Sequence, residues 1–235
     1  MNHSLDKKSI IKKTVEVGGS TLLSRGFGLL REVLKARYLG TSAMADAFAV
    51  AFMIPNSLRK IFAEGALTAA FVPTIVSTVK NDDRKEANAL MTTTFIFFEG
   101  ILALVCILMF FNAETMIKLV ASGFDAEKVA LTAKLFKILC TFILFVSSSS
   151  LLAGALQAVN HFLIPALGPV LLNVIFIAAI SACLYFDLPI TYLCYAILIS
   201  GIASFILHLV AYFRFGFGFG NITAIAKKEL KSLIM

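Results

Sequence analysis

Residues 24–40 have the sequence SRGFGLLREVLKARYLG, in which charged side chains interrupt a run of small and apolar residues. A second stretch, ADAFAVAFMIPNSLRKIFAEGALTAAFVP at residues 45–73, repeats this mixture. An ionisable residue inside a membrane segment costs about 2.5–3.5 kcal/mol on insertion scales, and it faces a protein interior or a water-filled cavity rather than lipid. The two stretches therefore predict a polar space inside a membrane protein.

The composition of the whole chain also favours a membrane protein. Of its 235 residues, 59% are hydrophobic and 15% are charged, whereas a soluble domain is about 45–50% apolar and about 25% charged. The net charge of +7 is not gathered on one polar domain, as it would be in a nucleic-acid-binding protein. Many basic residues instead follow the ends of apolar runs, which is typical of membrane proteins. The four cysteines have no metal-ligand spacing and are expected to be buried, inert thiols.

Six segments have the length of a membrane span, which needs about 20 residues. We predict an all-α polytopic membrane protein of about six transmembrane helices, whose first two helices line the polar space. The expected organisation is an N-terminal tail at 1–13, a membrane lobe at 14–213, and a Gly/Phe linker with a basic amphipathic surface helix at 214–235. The approximate spans are 14–38, 44–78, 89–111, 134–157, 162–186 and 189–213.

The distribution of Lys and Arg predicts the orientation, because cytoplasmic loops carry an excess of basic residues. With both termini in the cytoplasm, the outside loops are 38–45, 112–133 and 187–188. The inside segments then carry most of the basic residues outside the spans: Lys7, Lys8, Lys12, Lys13, Lys80, Arg84, Lys85, Arg214, Lys227, Lys228 and Lys231.

The charges of the first span fall on one side of the helix. At 100° per residue, Arg25, Arg31, Glu32 and Lys35 occupy an arc of about 120°. From Arg25 to Glu64 there are six basic and three acidic residues, a surplus of three positive charges that favours an anionic ligand. An alternative is that Arg31 and Lys35 pair with Glu32 and Glu64 and serve only to hold the helices together.

Three residues of the second span predict a hinge. Pro55 removes a backbone donor and bends or breaks a helix, and irregular backbone within a membrane is tolerated where it is buried or lines a cavity. Pro55 and Asn56, beside Arg59, and Gly65 are therefore candidate hinge residues.

Two further polar residues lie inside apolar spans. Glu99 is either a proton or ion site or a partner for one of the arginines. Asn173 is interpreted as an interhelical hydrogen-bonding residue rather than a ligand.

No catalytic signature is present in the sequence. It lacks a GxSxG motif, a phosphate-binding P-loop, an HExxH motif and a paired Cys/His metal site. We therefore expect a protein that is not an enzyme, that has no cofactor or metal, and that draws on an ion gradient or the membrane potential if it transports.

Residues 24–40 and 45–73, together with NHFLIPALGPVLLN at 160–173, closely resemble the MurJ (MviN) family of lipid II flippases in the MOP exporter superfamily. The resemblance implies a lobe that moves undecaprenyl-diphosphate-linked peptidoglycan precursor across the bacterial cytoplasmic (inner) membrane by alternating access. It also implies that the arginines bind the diphosphate headgroup, which Asp46 and Glu64 help to order and release. Glu32 stands where the family commonly has Asp. The implied substrate-binding residues are Arg25, Arg31, Glu32, Asp46, Arg59 and Glu64.

Family members have two lobes and an additional helix pair, of which this sequence resembles only the first lobe. We therefore expect a second membrane polypeptide, or a second copy of the chain, to complete the transporter. The sequence leaves two alternatives to a lipid II flippase: another MOP exporter, for polysaccharide lipids or drugs, and a non-transporting membrane interaction protein. The arginines disfavour a pump for cationic drugs, whose cavity should carry carboxylates.

Overall fold

The computed structural model describes residues 7–60, 73–79 and 84–221, with the backbone alone for 7–17. All its regular structure is helical, and no strand occurs within these ranges. Four helices in the described part of the chain are long and apolar enough to cross a membrane, which confirms the predicted class. They are Arg84–Phe111, Ala126–Ala158, Leu163–Phe186 and Ile190–Arg214. The helices are α1 (Lys7–Leu39), α2 (Ala43–Arg59), α3 (73–79), α4 (Arg84–Phe111), α5 (Ala113–Val120), α6 (Ala126–Ala158), α7 (Leu163–Phe186) and α8 (Ile190–Arg214).

Some element boundaries differ from the prediction. Helix α1 begins at Lys7, before the expected start of the first span. The loop predicted at 112–133 contains the short helix α5, which buries Ala113 and Ile117, and the start of α6. Asp125 caps α6 by accepting a 2.8 Å hydrogen bond from the backbone of Lys128, and this satisfies a free donor of the first turn. The continuity of the predicted span 44–78 depends on residues outside the described ranges.

Helix α6 is the centre of the lobe. It packs against α2, α4, α5 and α8, while α7 lies between α1 and α8. Its side chains Phe136, Leu139 and Phe142 are fully buried in the largest apolar cluster. The four cysteines are also buried, as expected from the sequence. Among the described elements α1 is held mainly by α7, and none of them covers the side of α1 that carries Leu22 and Leu29.

One end of the lobe gathers the three loops that were predicted to lie outside. The Tyr38 hydroxyl, at the end of α1, donates a 2.5 Å hydrogen bond to the carbonyl of Leu188 between α7 and α8. Lys128 of α6 forms an ion pair of 2.7 Å with Asp46 of α2. These contacts confirm that the segments around 40, 125 and 188 share one end.

The opposite end is closed by the Gly/Phe linker. The backbone N–H of Gly218 donates to Asn88 at 3.1 Å, and that of Gly220 donates to the Thr92 hydroxyl at 2.9 Å. Phe217 is buried and stacks on Tyr212, with ring centroids 5.0 Å apart. The described part of the linker is therefore docked on α4. The amphipathic helix predicted beyond it lies outside the described residues.

Candidate functional site

The charged side of α1 is attached to α7 through an amide. Arg31 Nη1 donates a 2.9 Å hydrogen bond to Asn173 Oδ1, and Asn173 Nδ2 donates to the backbone carbonyl of Ser24 at 3.0 Å. The guanidinium also lies 5.4 Å from the centre of the Phe176 ring. Asn173 is only 6% exposed. It is an interhelical hydrogen-bonding residue, as predicted, and it orients Arg31.

Glu32 lies between two cations of the same helix. Its Oε1 accepts from Arg31 Nη2 at 2.7 Å and from Nε at 3.2 Å, while Oε2 pairs with Lys35. The internal pairing that the sequence left open is therefore present for Glu32. One carboxylate serves two cations, so the trio keeps a net positive charge.

Arg25 differs from Arg31 in its surroundings. It is exposed, and no hydrogen bond or ion pair to it occurs within the described ranges. It lies six residues before Arg31, which places the two about 9 Å apart along the helix axis. The neighbouring uncovered surface of α1 is apolar and includes Leu22 and Leu29, which are 72% and 69% exposed. The site thus combines free positive charge with an apolar face that the lobe does not cover.

Asp46 is paired with a lysine rather than with an arginine. Its carboxylate is 64% exposed and bonds to Lys128, which is 19% exposed and lies 4.3 Å from the centre of the Phe124 ring. Asp46 therefore does not neutralise the charges of α1. The sequence could not indicate this pair, because nothing local to either residue shows that α2 packs against α6.

The end of α2 carries the predicted hinge residues. The helix continues through Pro55, which is buried, and Arg59 Nε donates a 3.2 Å hydrogen bond to Asn56 Oδ1 one turn earlier. A hinge role for Pro55 and Asn56 stays a prediction, since it concerns movement. Glu64 and Gly65 lie outside the described residues.

Glu99 is not paired with an arginine in the described part of the chain. Its Oε1 and the hydroxyl of Ser147 on α6 are both buried without a hydrogen-bond partner there. A role as a proton or ion site stays a prediction.

The arrangement is suited to binding an anion that has two separate charges. Arg25 and Arg31 lie about 9 Å apart along the axis of one helix, and a guanidinium presents a planar set of donors to phosphate oxygens. Asn173 keeps the Arg31 guanidinium in place before any ligand arrives. Glu32 would have to share Arg31 with the ligand, so binding would also change the pairing within α1.

The fold is shared with solved transporters. A lipid II flippase MurJ in an inward closed conformation superposes with a TM-score of 0.76 at 29% identity, covering 93% of this chain and 46% of that one. A MOP superfamily transporter from Pyrococcus furiosus gives a TM-score of 0.71, and a MATE protein gives 0.74, each at 16% identity. These two show the fold alone. The chain is thus a membrane protein with the fold of about half of a MOP-type transporter.

Sequence comparison identifies the family. The family model "Lipid II flippase MurJ" matches residues 35–235. "Lipid II flippase MurJ" of Burkholderia cenocepacia is 37% identical over 205 residues, which is 86% of this chain and 40% of that protein. "Probable lipid II flippase MurJ" of Rhizobium tropici is 36% identical over 201 residues, 83% of this chain and 38% of that protein. The chain belongs to the lipid II flippase MurJ family, and it spans well under half the length of these relatives.

Proposed function

We propose that this chain forms one lobe of a lipid II flippase in the bacterial cytoplasmic membrane. The observation that carries the proposal is the charged side of α1, where Arg25, Arg31 and Lys35 have one paired carboxylate, Glu32, among the described residues. Membership of the MurJ family supplies the substrate class. The lobe would act by binding and moving the lipid, without a catalytic step.

The substrate headgroup contains a diphosphate, whose negative charge complements the positive charge of the site. Arg31, held by Asn173, provides a fixed set of donors, and Arg25 provides a second set that no described residue binds. Arg59 would contact the headgroup from the end of α2. Asp46 and Glu64 would order and release it, as the family resemblance implies.

The uncovered side of α1 supports a second lobe. If this side faced lipid, Arg25 would stand beside Leu22 and Leu29 in hydrocarbon at a cost of several kcal/mol. A second lobe, carried by another membrane polypeptide or by a second copy of this chain, would convert that side into a water-filled cavity. The two lobes could then rock around a substrate held near the midplane.

The orientation we propose places both termini in the cytoplasm. The three predicted outside loops share one end of the lobe, and the linker after α8 packs at the other end beside the start of α4. Because the basic residues flank this second end, the positive-inside rule assigns it to the cytoplasm.

Binding of a diphosphate lipid tests the site. The full chain in nanodiscs is titrated with undecaprenyl diphosphate, and we expect Arg25→Ala to weaken binding about tenfold, since one charge-assisted contact is lost. The affinity of Arg31→Lys for the lipid should lie between those of the wild type and Arg31→Ala, because an ammonium replaces only part of a planar set of donors. Arg37→Ala is the matched control: Arg37 is also an exposed arginine of α1 but lies outside the charged arc. Normal binding by Arg25→Ala, Arg31→Ala and Arg59→Ala together would reject the site.

Flipping is tested in liposomes that contain labelled lipid II. We expect the purified chain alone to leave the label on its original side, and transport to require a second lobe. Robust flipping by a demonstrated monomer would overturn the two-lobe proposal. It would leave the binding site intact, so the two tests fail separately.

A further inference from the structure

A groove of about 470 Å³ lies where the end of α4, helix α5 and the starts of α6 and α8 meet. Its volume is in the range of about 300–1,000 Å³ that is usual for small-molecule sites. The groove combines two lysines, one carboxylate, two aromatic rings and an aliphatic floor. The residues that matter for its chemistry are Phe110, Glu114, Lys134, Lys137, Tyr195 and Leu198.

This groove is separate from the charged side of α1. Lys128, which pairs with Asp46 of α2, lies nine residues before Lys137 on α6. At 100° per residue, Lys137 points about 180° away from Lys128, and Lys134 points about 120° away from it. The groove therefore opens on the side of α6 away from α2, and its ligand is independent of the proposed diphosphate site.

The charged groups of the groove are not used within the lobe. Lys134 and Lys137 are three residues apart and share one face of α6. Neither lysine forms an ion pair with Glu114 or with any other carboxylate in the described ranges. Lys137 Nζ lies 5.4 Å from the centre of the Phe110 ring. Two cations and one carboxylate thus face the same concave space, and no described residue pairs with them.

The groove lies near the ends of two of the apolar helices, α4 and α8. Phe110 is the second-last residue of α4, and Tyr195 is in the second turn of α8. Tyrosine and the long stem of lysine are both typical of the membrane–water interface. Ile138 and Leu198 line the same groove with apolar surface. A lipid fits this combination better than a soluble anion, because part of the ligand would contact hydrocarbon side chains.

We propose that the groove binds the headgroup of a phosphoethanolamine lipid. The phosphate oxygens accept hydrogen bonds from Lys134 and Lys137, and the primary ammonium donates to Glu114. The glycerol end of the lipid rests on Leu198 and the Tyr195 ring. A phosphoglycerol headgroup has no cation for Glu114, and a phosphocholine headgroup has a cation without an N–H donor. The two lysines together with Glu114 therefore favour the ethanolamine headgroup over the other two.

Native mass spectrometry of the full chain, titrated with phosphatidylethanolamine, phosphatidylglycerol and phosphatidylcholine of identical acyl chains, tests the proposal. Wild-type protein should retain phosphatidylethanolamine about tenfold better than either other lipid, which is the effect of one charge-assisted contact. Glu114→Gln should abolish this preference and favour phosphatidylglycerol. The double variant Lys134→Gln/Lys137→Gln should lose retention of all three lipids to the level of non-specific adducts.

Lys118→Gln is the matched control, since Lys118 is an exposed lysine of α5 that does not line the groove. It should keep the wild-type preference. The proposal is overturned if wild-type protein retains the three lipids equally or prefers phosphatidylglycerol, or if Lys118→Gln has the same effect as the double variant. Because Glu114→Gln changes the preference without removing binding, its result does not depend on how well the double variant folds.

Discussion

Arg31 of α1 and Asn173 of α7, 142 residues apart in the chain, are joined by a 2.9 Å hydrogen bond. The same amide donates to the backbone carbonyl of Ser24, about two helical turns before Arg31. Asn173 therefore fastens α1 to α7 at two points, one of which is the side chain that we propose binds the diphosphate. Helix attachment and ligand orientation depend on one residue.

Replacing Asn173 should affect stability and binding together. Asn173→Ala leaves Arg31 and the Ser24 carbonyl without their partner, and we expect a loss of about 1 kcal/mol, near the usual value for a hydrogen bond between membrane helices. Binding of undecaprenyl diphosphate should also weaken, because Arg31 is no longer oriented. Ser24→Ala is the control and should leave both stability and lipid binding unchanged, since Asn173 bonds mainly to the Ser24 backbone. Thermal unfolding in detergent and lipid titration measure the two effects; equal losses in both variants would contradict this account.

The ion pair of Asp46 and Lys128 should make a small and separable contribution. The carboxylate is 64% exposed, and pairs of this kind contribute about 0–1 kcal/mol. We expect Asp46→Asn and Lys128→Gln each to lower stability by no more than that. The exchanged pair, Asp46→Lys with Lys128→Asp, should recover most of the loss. A double-mutant cycle that gives no coupling energy would show that the pair makes no contribution.

Gly201 should be intolerant of a side chain. A Cβ atom at this position of α8 would stand 2.7 Å from the ring of Phe142 on α6, and both residues are fully or almost fully buried. Gly201→Ala should therefore destabilise the lobe by about 1–3 kcal/mol through overpacking. Gly100→Ala is the matched control, because a Cβ there meets nothing within 4 Å, and it should be neutral or stabilising by about 0.5–1 kcal/mol. Unfolding midpoints that move equally in both variants would exclude close packing of α6 on α8.

The docking of the linker on α4 can be tested with two glycines of the same segment. A Cβ at Gly220 would approach the backbone nitrogen of Ala89 to 2.5 Å, whereas one at Gly218 would meet only the Asn88 side chain at 3.6 Å. We expect Gly220→Ala to release residues 217–221 and to speed hydrogen exchange of their amides. Gly218→Ala should leave exchange near the wild-type rate. Fast exchange of this segment in the wild-type protein would mean that the linker is not docked.

The proposed orientation predicts opposite labelling of two cysteine variants. The four native cysteines are buried, so they should give little background with a membrane-impermeant maleimide. Asp82→Cys should react only from the cytoplasmic side, and Ser122→Cys, in the turn between α5 and α6, only from outside. The reverse pattern would invert the topology and place the phosphoethanolamine groove in the inner leaflet.

Hydropathy and helical periodicity were enough to predict the class of this protein and most of its helices. A membrane helix needs about 20 apolar residues regardless of what surrounds it, so α4, α6, α7 and α8 follow from local composition. The charged arc of α1 also follows from the sequence, because side-chain directions along one helix repeat at a fixed angle. Even the alternative pairing of Arg31 and Lys35 with Glu32 was foreseeable, since these residues are neighbours on one helix.

Only the tertiary structure decided which side chains meet across helices. Asp46 pairs with Lys128, 82 residues away, because α2 packs against α6. Phe217 belongs to a Gly/Phe run with no helical signal, and it is buried because Tyr212 and α4 provide a surface for it. Lys134, Lys137 and Glu114 face one groove because α5 turns back onto α6. The physical reason is common to all three cases. The hydropathy of a segment determines whether that segment forms a membrane helix, whereas contacts between helices depend on the angle and register at which the helices pack.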